Sequence, residues 1–340
     1  MASRHPALVV ASRHGIPVHS RTGDITDGEA DRLIHVIRRD RLAGYMATAI
    51  AEGAVAAPAD FAAAVVDAWH NQLIAAVDLE RLLIGVARAL DGAGVEWRLT
   101  KGPALAHLDF PDPSLRTFGD VDVLIHPDSW DRAVAALAGI GWTRDALEVS
   151  PGFDGRFGKG VTLTNTDSLE VDLHRRLAIG RFGLRLDTRA LFEGGDEFVL
   201  AGRRIPALSG PNRLLHGCFH AALGGWRELR AFRDVAQLML VSEVDWQQTI
   251  ATAERFKVQA VVASALIETW DRLELELHHD ALTWARGQRI GRLDAHALGV
   301  FAREEPFRMQ AMTALPVLVG RGALRYAWDL GLKPGRRGRR

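Results

Sequence analysis

The sequence predicts an α+β (α/β) protein: a small mixed sheet carrying helices, flanked on both sides by helical regions. Three observations lead there. Between Val95 and His174, short β-branched and aromatic runs alternate with turn signals and short helical stretches. Before and after that region, Ala- and Leu-rich sequence places apolar residues at helical spacing. A chain of 340 residues that is 48% hydrophobic and 25% charged also has the size and composition for a sizeable core.

The first 26 residues read as a loose N-terminal tail. Arg4, His5, Arg13 and His14 interrupt the apolar run that a signal peptide needs. Residues 27–92 read as helices, the first starting at Asp27 or Asp31 and carrying Leu33, Ile34, Ile37 and Leu42 on its apolar side. Pro58 restarts the pattern. Over 61–90, Val65, Trp69, Leu73, Ile74, Val77 and Leu82 form a broad apolar face, and Gly92 and Gly94 end it.

The sheet region is 93–208. Residues 95–100 read as a strand, and Lys101-Gly102-Pro103 as a sharp turn whose proline opens a short helix over 104–108. A rigid Phe110-Pro-Asp-Pro-Ser114 loop leads to a strand over 120–125. Pro127 opens a helix through Ala138, and Trp142 begins a further strand segment. Beyond a loop with Gly152, Gly155, Gly158 and Gly160, strands over 161–164 and 169–174 pair around the turn at Asn165–Ser168. A two-strand patch at 197–208 precedes a second helical region, 209–330, with helices from Pro211 to Leu223, over 228–241, over 246–277 and beyond 280. Residues 331–340 read as a disordered basic tail.

Charge and cysteine content narrow the function. Lys plus Arg and Asp plus Glu both number 42, so net charge argues for neither a nucleic-acid nor an acidic-membrane partner. The lone Cys218 excludes an internal disulfide and a multi-cysteine zinc site. No apolar run reaches the roughly 18–20 residues that span a bilayer. A cytoplasmic protein is expected.

The chemistry concentrates in Arg116-Thr-Phe-Gly-Asp-Val-Asp-Val-Leu-Ile125. On a strand, Asp120 and Asp122 share one face, opposite Val121, Val123 and Ile125. Two acids so placed repel unless a cation sits between them, and Mg²⁺ held together with nucleotide phosphates is the obvious one. A solvated edge strand also accounts for a bare Asp-x-Asp, so the neighbourhood decides. In Leu169-Glu-Val-Asp-Leu-His174, the residues Glu170, Asp172 and His174 again share one face. If this strand lies beside 120–125, Asp172 meets the Asp pair, and three carboxylates can hold two divalent ions about 3.5–4 Å apart. Asp172 would then serve as metal ligand or general base.

The segments Leu99-Thr-Lys-Gly-Pro-Ala-Leu-Ala106, Phe110 to Ile125, Val171-Asp-Leu-His174 and Leu214-Leu-His-Gly-Cys-Phe-His220 occur in this order. With a helix around Trp226, Arg230 and Asp234, they resemble the uncharacterised nucleotidyltransferase family of the DNA polymerase beta superfamily over about 95–240. The resemblance implies a polymerase beta-like catalytic core at 93–208 with a helical substrate side at 209–330. It implies Asp120, Asp122 and Asp172 as ligands of Mg²⁺ or Mn²⁺, and transfer of a nucleoside monophosphate from an NTP with release of pyrophosphate. The superfamily usually has Gly-Ser after its first strand, where this chain has Lys101-Gly102.

Lys101 can contact phosphate in place of that serine, and Gly102 lets the backbone approach it. Arg116 reads as a γ-phosphate ligand or a partner of Asp120, and Gly119 as a source of unusual backbone angles entering the strand. His174 either binds phosphate, orders Asp172 or is structural. His216 and His220, four apart on a helix, read as structural or substrate-pocket residues rather than zinc ligands. Arg230 and Asp234 read as a helix-surface or interdomain ion pair with a substrate role open. Gly194-Gly-Asp-Glu-Phe198 matches a cyclase signature turn but reads as a loop entering a hairpin. The acceptor is expected to be a small molecule, sugar or peptide product. A catalytically inactive nucleotide-sensing module and an RNA- or tRNA-modifying enzyme are the alternatives. Oligomeric state cannot be read.

Overall fold

The computed structural model describes residues 5–19, 21–145, 150, 152–242 and 244–331. The expected tail at 331–340 therefore lies outside the described residues except for Gly331.

The N-terminal part runs α1 (Pro6–Ser12), β1 (Gly23–Asp24), α2 (Asp27–Arg39), α3 (Ala43–Ala51), β2 (Val55–Ala56) and α4 (Ala59–Gly92). The first 26 residues are not all a loose tail. Pro6 occupies the first turn of α1, where its missing N–H is harmless, and His5 Nδ1 accepts from Ala7 N at 3.3 Å. Ala7, Leu8 and Ala11 are buried in the core that holds the C-terminal helices. Arg13, one of the charges that interrupt this segment, folds back to donate to the His19 carbonyl. In α4 the expected face is rotated. Val65, Ala68, Gln72, Ala76 and Leu83 turn inward at helical spacing, while Ile74 and Val77 are exposed.

The sheet part follows: β3 (Trp97–Leu99), α5 (Pro103–Asp109), β4 (Asp122–Ile125), α6 (Trp130–Ala138), β5 (Thr143–Arg144), α7 (Phe153–Arg156), β6 (Gly160–Thr164) and β7 (Glu170–His174). After α8 (Gly180–Arg185) come β8 (Asp196–Leu200) and β9 (Arg203–Ala207). Seven strands form one mixed sheet in the order β5-β6-β7-β4-β3-β9-β8. The expected two-strand patch is part of this sheet, because Leu99 of β3 pairs in parallel with Ala207 of β9. Gly194-Gly195 does lead into a hairpin, β8 pairing antiparallel with β9.

Alternation along β4 sorts its side chains as expected. Val121, Val123 and Ile125 pack with Leu83, Val86 and Leu90 of α4 and Trp130 and Leu137 of α6. Leu124, on the face shared with Asp122, packs in the larger core.

The C-terminal part is helical: α9 (Gly210–Leu223), α10 (Leu229–Leu240), α11 (Trp246–Arg255), α12 (Gln259–Arg272), α13 (Asp280–Gly287), α14 (Arg292–Ala302), α15 (Phe307–Met312) and α16 (Gly320–Asp329). Trp226 lies in the turn between α9 and α10 with φ +60°, not within a helix. Side chains of α1, α2 and α3 share one buried cluster with those of α9, α10 and α12, so the flanking helices close over the acid-bearing face together.

The loop entering β4 is held by buried polar contacts. Trp69 Nε1 donates to the Ser114 carbonyl at 2.9 Å, and Thr117 Oγ1 donates to Gln72 Oε1 at 3.1 Å. Arg116 lies only 2% exposed and grips Asp234 of α10 through Nε–Oδ1 at 2.6 Å and Nη2–Oδ2 at 2.7 Å. A buried pair is costly to leave half-made. Asp234→Ala should lower unfolding free energy by about 3–5 kcal/mol in urea titrations. Arg116→Met combined with Asp234→Leu should recover most of that loss, because no buried charge is then left alone.

Candidate functional site

Sheet topology gathers the acids. β4 and β7 pair in parallel with Asp122 opposite Asp172 and Leu124 opposite His174. Oxygen and nitrogen atoms of Asp122, Asp172 and His174 lie within 4.8 Å of one another, the group among the described residues fit to hold a metal ion. Asp120 precedes β4 and lies outside that group, which takes in Asp122 and Asp172 of the expected acids together with His174.

Asp120 instead shares a cation with Asp122. Lys101 Nζ sits 2.7 Å from Asp120 Oδ2 and 3.1 Å from Asp122 Oδ2. The charge required between the two acids is thus a lysine ammonium of the same chain. The turn after β3 delivers it. Thr100 N donates to the Asp122 carbonyl at 3.1 Å, and Gly102 then turns back at φ +59°, close under the Asp120 carbonyl. Any other residue would be strained there.

Burial opposes the charge on Lys101, but Asp122 and then Asp120 outweigh it and raise its pKa. Burial likewise works against the Asp122 carboxylate, which Lys101 and then His174 nevertheless hold well below the usual range. His174 Nε2 lies 2.6 Å from Asp122 Oδ1. An ionised carboxylate only accepts, so Nε2 carries the proton. Burial, reinforced by the nearby Lys159, lowers the His174 pKa and keeps the ring neutral. His174 Nδ1 and Asp122 Oδ2 are both buried without hydrogen bonds, since the Lys101 contact to Oδ2 meets the distance but not the angle. Asp172 Oδ1 accepts from Thr162 Oγ1 at 2.5 Å.

Other predicted residues fall differently. Arg116 does not reach toward Asp120, because Asp234 saturates it at the base of the loop. Arg230 and Asp234 do not pair with each other. Arg230 donates to Glu228 at 3.1 Å, and its Nε is buried without a partner. Gly119 has no left-handed backbone. A Cβ there would overlap the Arg41 guanidinium where it now lies and push that side chain aside. Glu170 is exposed.

His216 and His220 stack on α9 with ring centroids 6.4 Å apart. Neither belongs to the metal-compatible group. Burial drives His216 down to about 3 and His220 well below the ordinary value. Asp122, Lys101, His174 and Lys159 all act on His216, so this neutral pair faces the acids from the helical side.

Three residues escaped the sequence reading. Lys159 precedes Gly160, the register partner of His174. Burial lowers its pKa, against the pull of Asp122. Its place before a strand paired with β7 was a usable signal. Thr162, the register partner of Asp172, was equally findable. Arg41 sits between two helices and left no local trace.

A family model described as "Uncharacterised nucleotidyltransferase" matches residues 26–273. No curated protein matches the chain. Among solved structures, it is similar to the antibiotic-resistance factor ANT(2'')-Ia at 14% identity, covering 58% of this chain and 96% of that one, with a TM-score of 0.35. It is also similar to an antigenic nucleotidyltransferase-like protein from Paracoccidioides brasiliensis at 14% identity, covering 60% and 95%, with a TM-score of 0.36.

The neutral His216 has a measurable consequence. Its folded pKa of about 3 lies below the unfolded value near 6.5, so its contribution is full above pH 6.5 and is lost as pH falls toward 3. Between pH 7 and pH 5 the loss from this ring is about 2 kcal/mol. Urea unfolding of His216→Gln should show a pH dependence shallower by that amount over the same window.

Proposed function

Because the chain belongs to the uncharacterised nucleotidyltransferase family, we propose that it moves a nucleoside monophosphate from an NTP to an acceptor hydroxyl or phosphate, with Mg²⁺ and release of pyrophosphate. The observation that carries this reading is the parallel register of Asp122 with Asp172, which brings two carboxylates and the His174 ring into one oxygen- and nitrogen-lined cluster.

The donor set fits a divalent ion. Asp122 Oδ2 is buried and lacks a hydrogen bond, and His174 Nδ1 has a free lone pair in a neutral ring. Asp122 and Asp172 would hold the ion, with His174 beside them and Asp120 joining once Lys101 leaves. When bound, a divalent cation neutralises phosphate oxygens and acidifies an attacking hydroxyl.

The chain's own groups supply the rest. Lys101 exchanges its carboxylates for phosphate oxygens, a point charge passing from one anion to another. Asp172, fixed through Oδ1 by Thr162, has its second oxygen to take the acceptor's proton. The acceptor oxygen bonds to the α-phosphorus as the bond to the bridging oxygen breaks, and pyrophosphate leaves with that electron pair. His216 and His220 face this centre from α9 as neutral walls of the acceptor side. The balanced net charge favours a small molecule, sugar or peptide product over a nucleic acid as acceptor.

A second reading draws on Lys101 itself. Since its ammonium already offsets the charges of Asp120 and Asp122, the acids have a counter-charge without a metal, as suits a nucleotide-sensing module without turnover. Pyrophosphate release that depends on one acceptor excludes this reading, and Mg²⁺-dependent NTP binding without release across an acceptor panel supports it.

Asp122→Asn should lower turnover at least about 100-fold, and near-normal rates would remove the metal assignment. Lys101→Met should tighten Mn²⁺ binding at least about tenfold by removing a competing positive charge. The same variant should bind NTP more weakly, so calorimetry with each ligand separately should show opposite shifts.

A further inference from the structure

Arg41 brings a guanidinium, unpaired among the described residues, to the loop that enters β4. It connects α2 to α3 with φ +51°, the left-handed residue that closes α2, with Leu42 N donating back to the Ile37 carbonyl at 2.9 Å. Its guanidinium packs against Gly119, the residue before Asp120, so closely that a Cβ there would collide with it. Among the described residues, none pairs or hydrogen-bonds with the Arg41 side chain, although it offers five N–H donors. Burial disfavours its charge, and the field of Arg230 adds to that. A half-buried guanidinium with no partner among the described residues, favoured by the field of Asp120 and opposed by that of Arg230, is open to an anion from outside the chain.

Arg230 is the second half of the arrangement. Asp40, fully buried beside Arg41, accepts from Leu229 N at 3.0 Å and so ties the α2–α3 connection to the start of α10. Arg230 follows Leu229 directly. Its side chain is 12% exposed, one Nη donates to Glu228, and its buried Nε is unpartnered. Two guanidiniums from separate helical regions are thereby brought to the Asp120 end of the acid cluster. The Asp120 side chain is 44% exposed there, whereas that of Asp122 is 4% exposed.

Resting on the nucleotidyl-transfer reading, we infer that Arg41 and Arg230 form the subsite for the pyrophosphate portion of the nucleotide. Planar guanidiniums suit phosphate oxygens through paired N–H contacts. Lys101 stands between this pair and the metal-compatible group, so the three cations line the path from the transferred phosphate to the leaving group. The N-terminal helices are then part of the nucleotide site and not only packing, since Arg41 belongs to them. The missing Cβ of Gly119 leaves the room in which the Arg41 guanidinium lies before β4.

Calorimetry on the full chain tests this, with pyrophosphate plus Mn²⁺ as probe. Arg41→Ala and Arg230→Ala should each weaken pyrophosphate binding at least about tenfold, and Arg41→Lys should restore part of it. Gly119→Ala, which displaces the guanidinium without removing it, should reproduce Arg41→Ala, and the double variant should be no weaker than either. Mn²⁺ affinity without pyrophosphate should stay within about twofold of the parent in every variant. Unchanged pyrophosphate affinity in Arg41→Ala overturns the inference, as does a parallel loss of Mn²⁺ affinity, which marks a merely structural role. Binding of a phosphate monoester but not pyrophosphate assigns the pair to an acceptor and also overturns it. A parent protein that binds pyrophosphate through Arg41 but never releases it from NTP keeps the subsite while removing the transfer reading.

Discussion

The Lys101 ammonium between Asp120 and Asp122 is the contact on which the site's architecture rests. Register places Asp122 against Asp172, and three carboxylates this close would repel one another in a partly desolvated pocket. One positive charge, delivered by a glycine turn after β3, makes the arrangement tolerable with the chain's own atoms. In the proposed function the same contact is the one that opens, a lysine on a flexible stem being exchanged for a harder, doubly charged ion. Asp122 meanwhile keeps a second partner in His174, so it stays oriented whichever cation is present.

Holding that lysine and those acids in place requires helices from both ends of the chain. Arg116 on the loop before β4 is clamped by Asp234 of α10, and Thr117 is tethered to Gln72 of α4. Arg213 of α9 makes a comparable buried pair with Asp109 at the end of α5, 2.7 Å from Nε to Oδ2. These pairs contribute little net stability against well-packed apolar groups, yet each is expensive to break singly. They fix register between the sheet and its helical cover. The acids therefore meet α9, with the neutral His216 and His220, at a defined separation.

Much of this was legible in the sequence, for a physical reason. Strand alternation is local, so Asp120, Asp122 and Asp172 could be placed against Val121, Val123 and Val171 from spacing alone. Gly102 and Pro103 announced their turn in the same way. Long-range pairing has no local trace. Arg116 and Asp234 are 118 residues apart, and nothing near either names the other. Spacing therefore offers Arg116 the phosphate or Asp120, and offers Asp234 the nearer Arg230, while the fold joins Arg116 to Asp234. Gly119 showed the same limit: what a Cβ there would meet is a side chain from the α2–α3 connection, and its own backbone angles are not left-handed. The N-terminal helix was misjudged because its charges were weighed without the carbonyls and apolar surfaces that absorb them.

In the proposed function, the acid cluster exchanges its internal lysine for a divalent ion when nucleotide arrives. A crystal grown with Mn²⁺ and a non-hydrolysable NTP, with anomalous data at the manganese edge, tests it most directly. The account predicts anomalous density against Asp122 and Asp172, with Lys101 Nζ withdrawn from Asp122 and turned to the phosphates. Nucleotide bound with no anomalous density at these acids, and Lys101 still bridging Asp120 and Asp122, would contradict it.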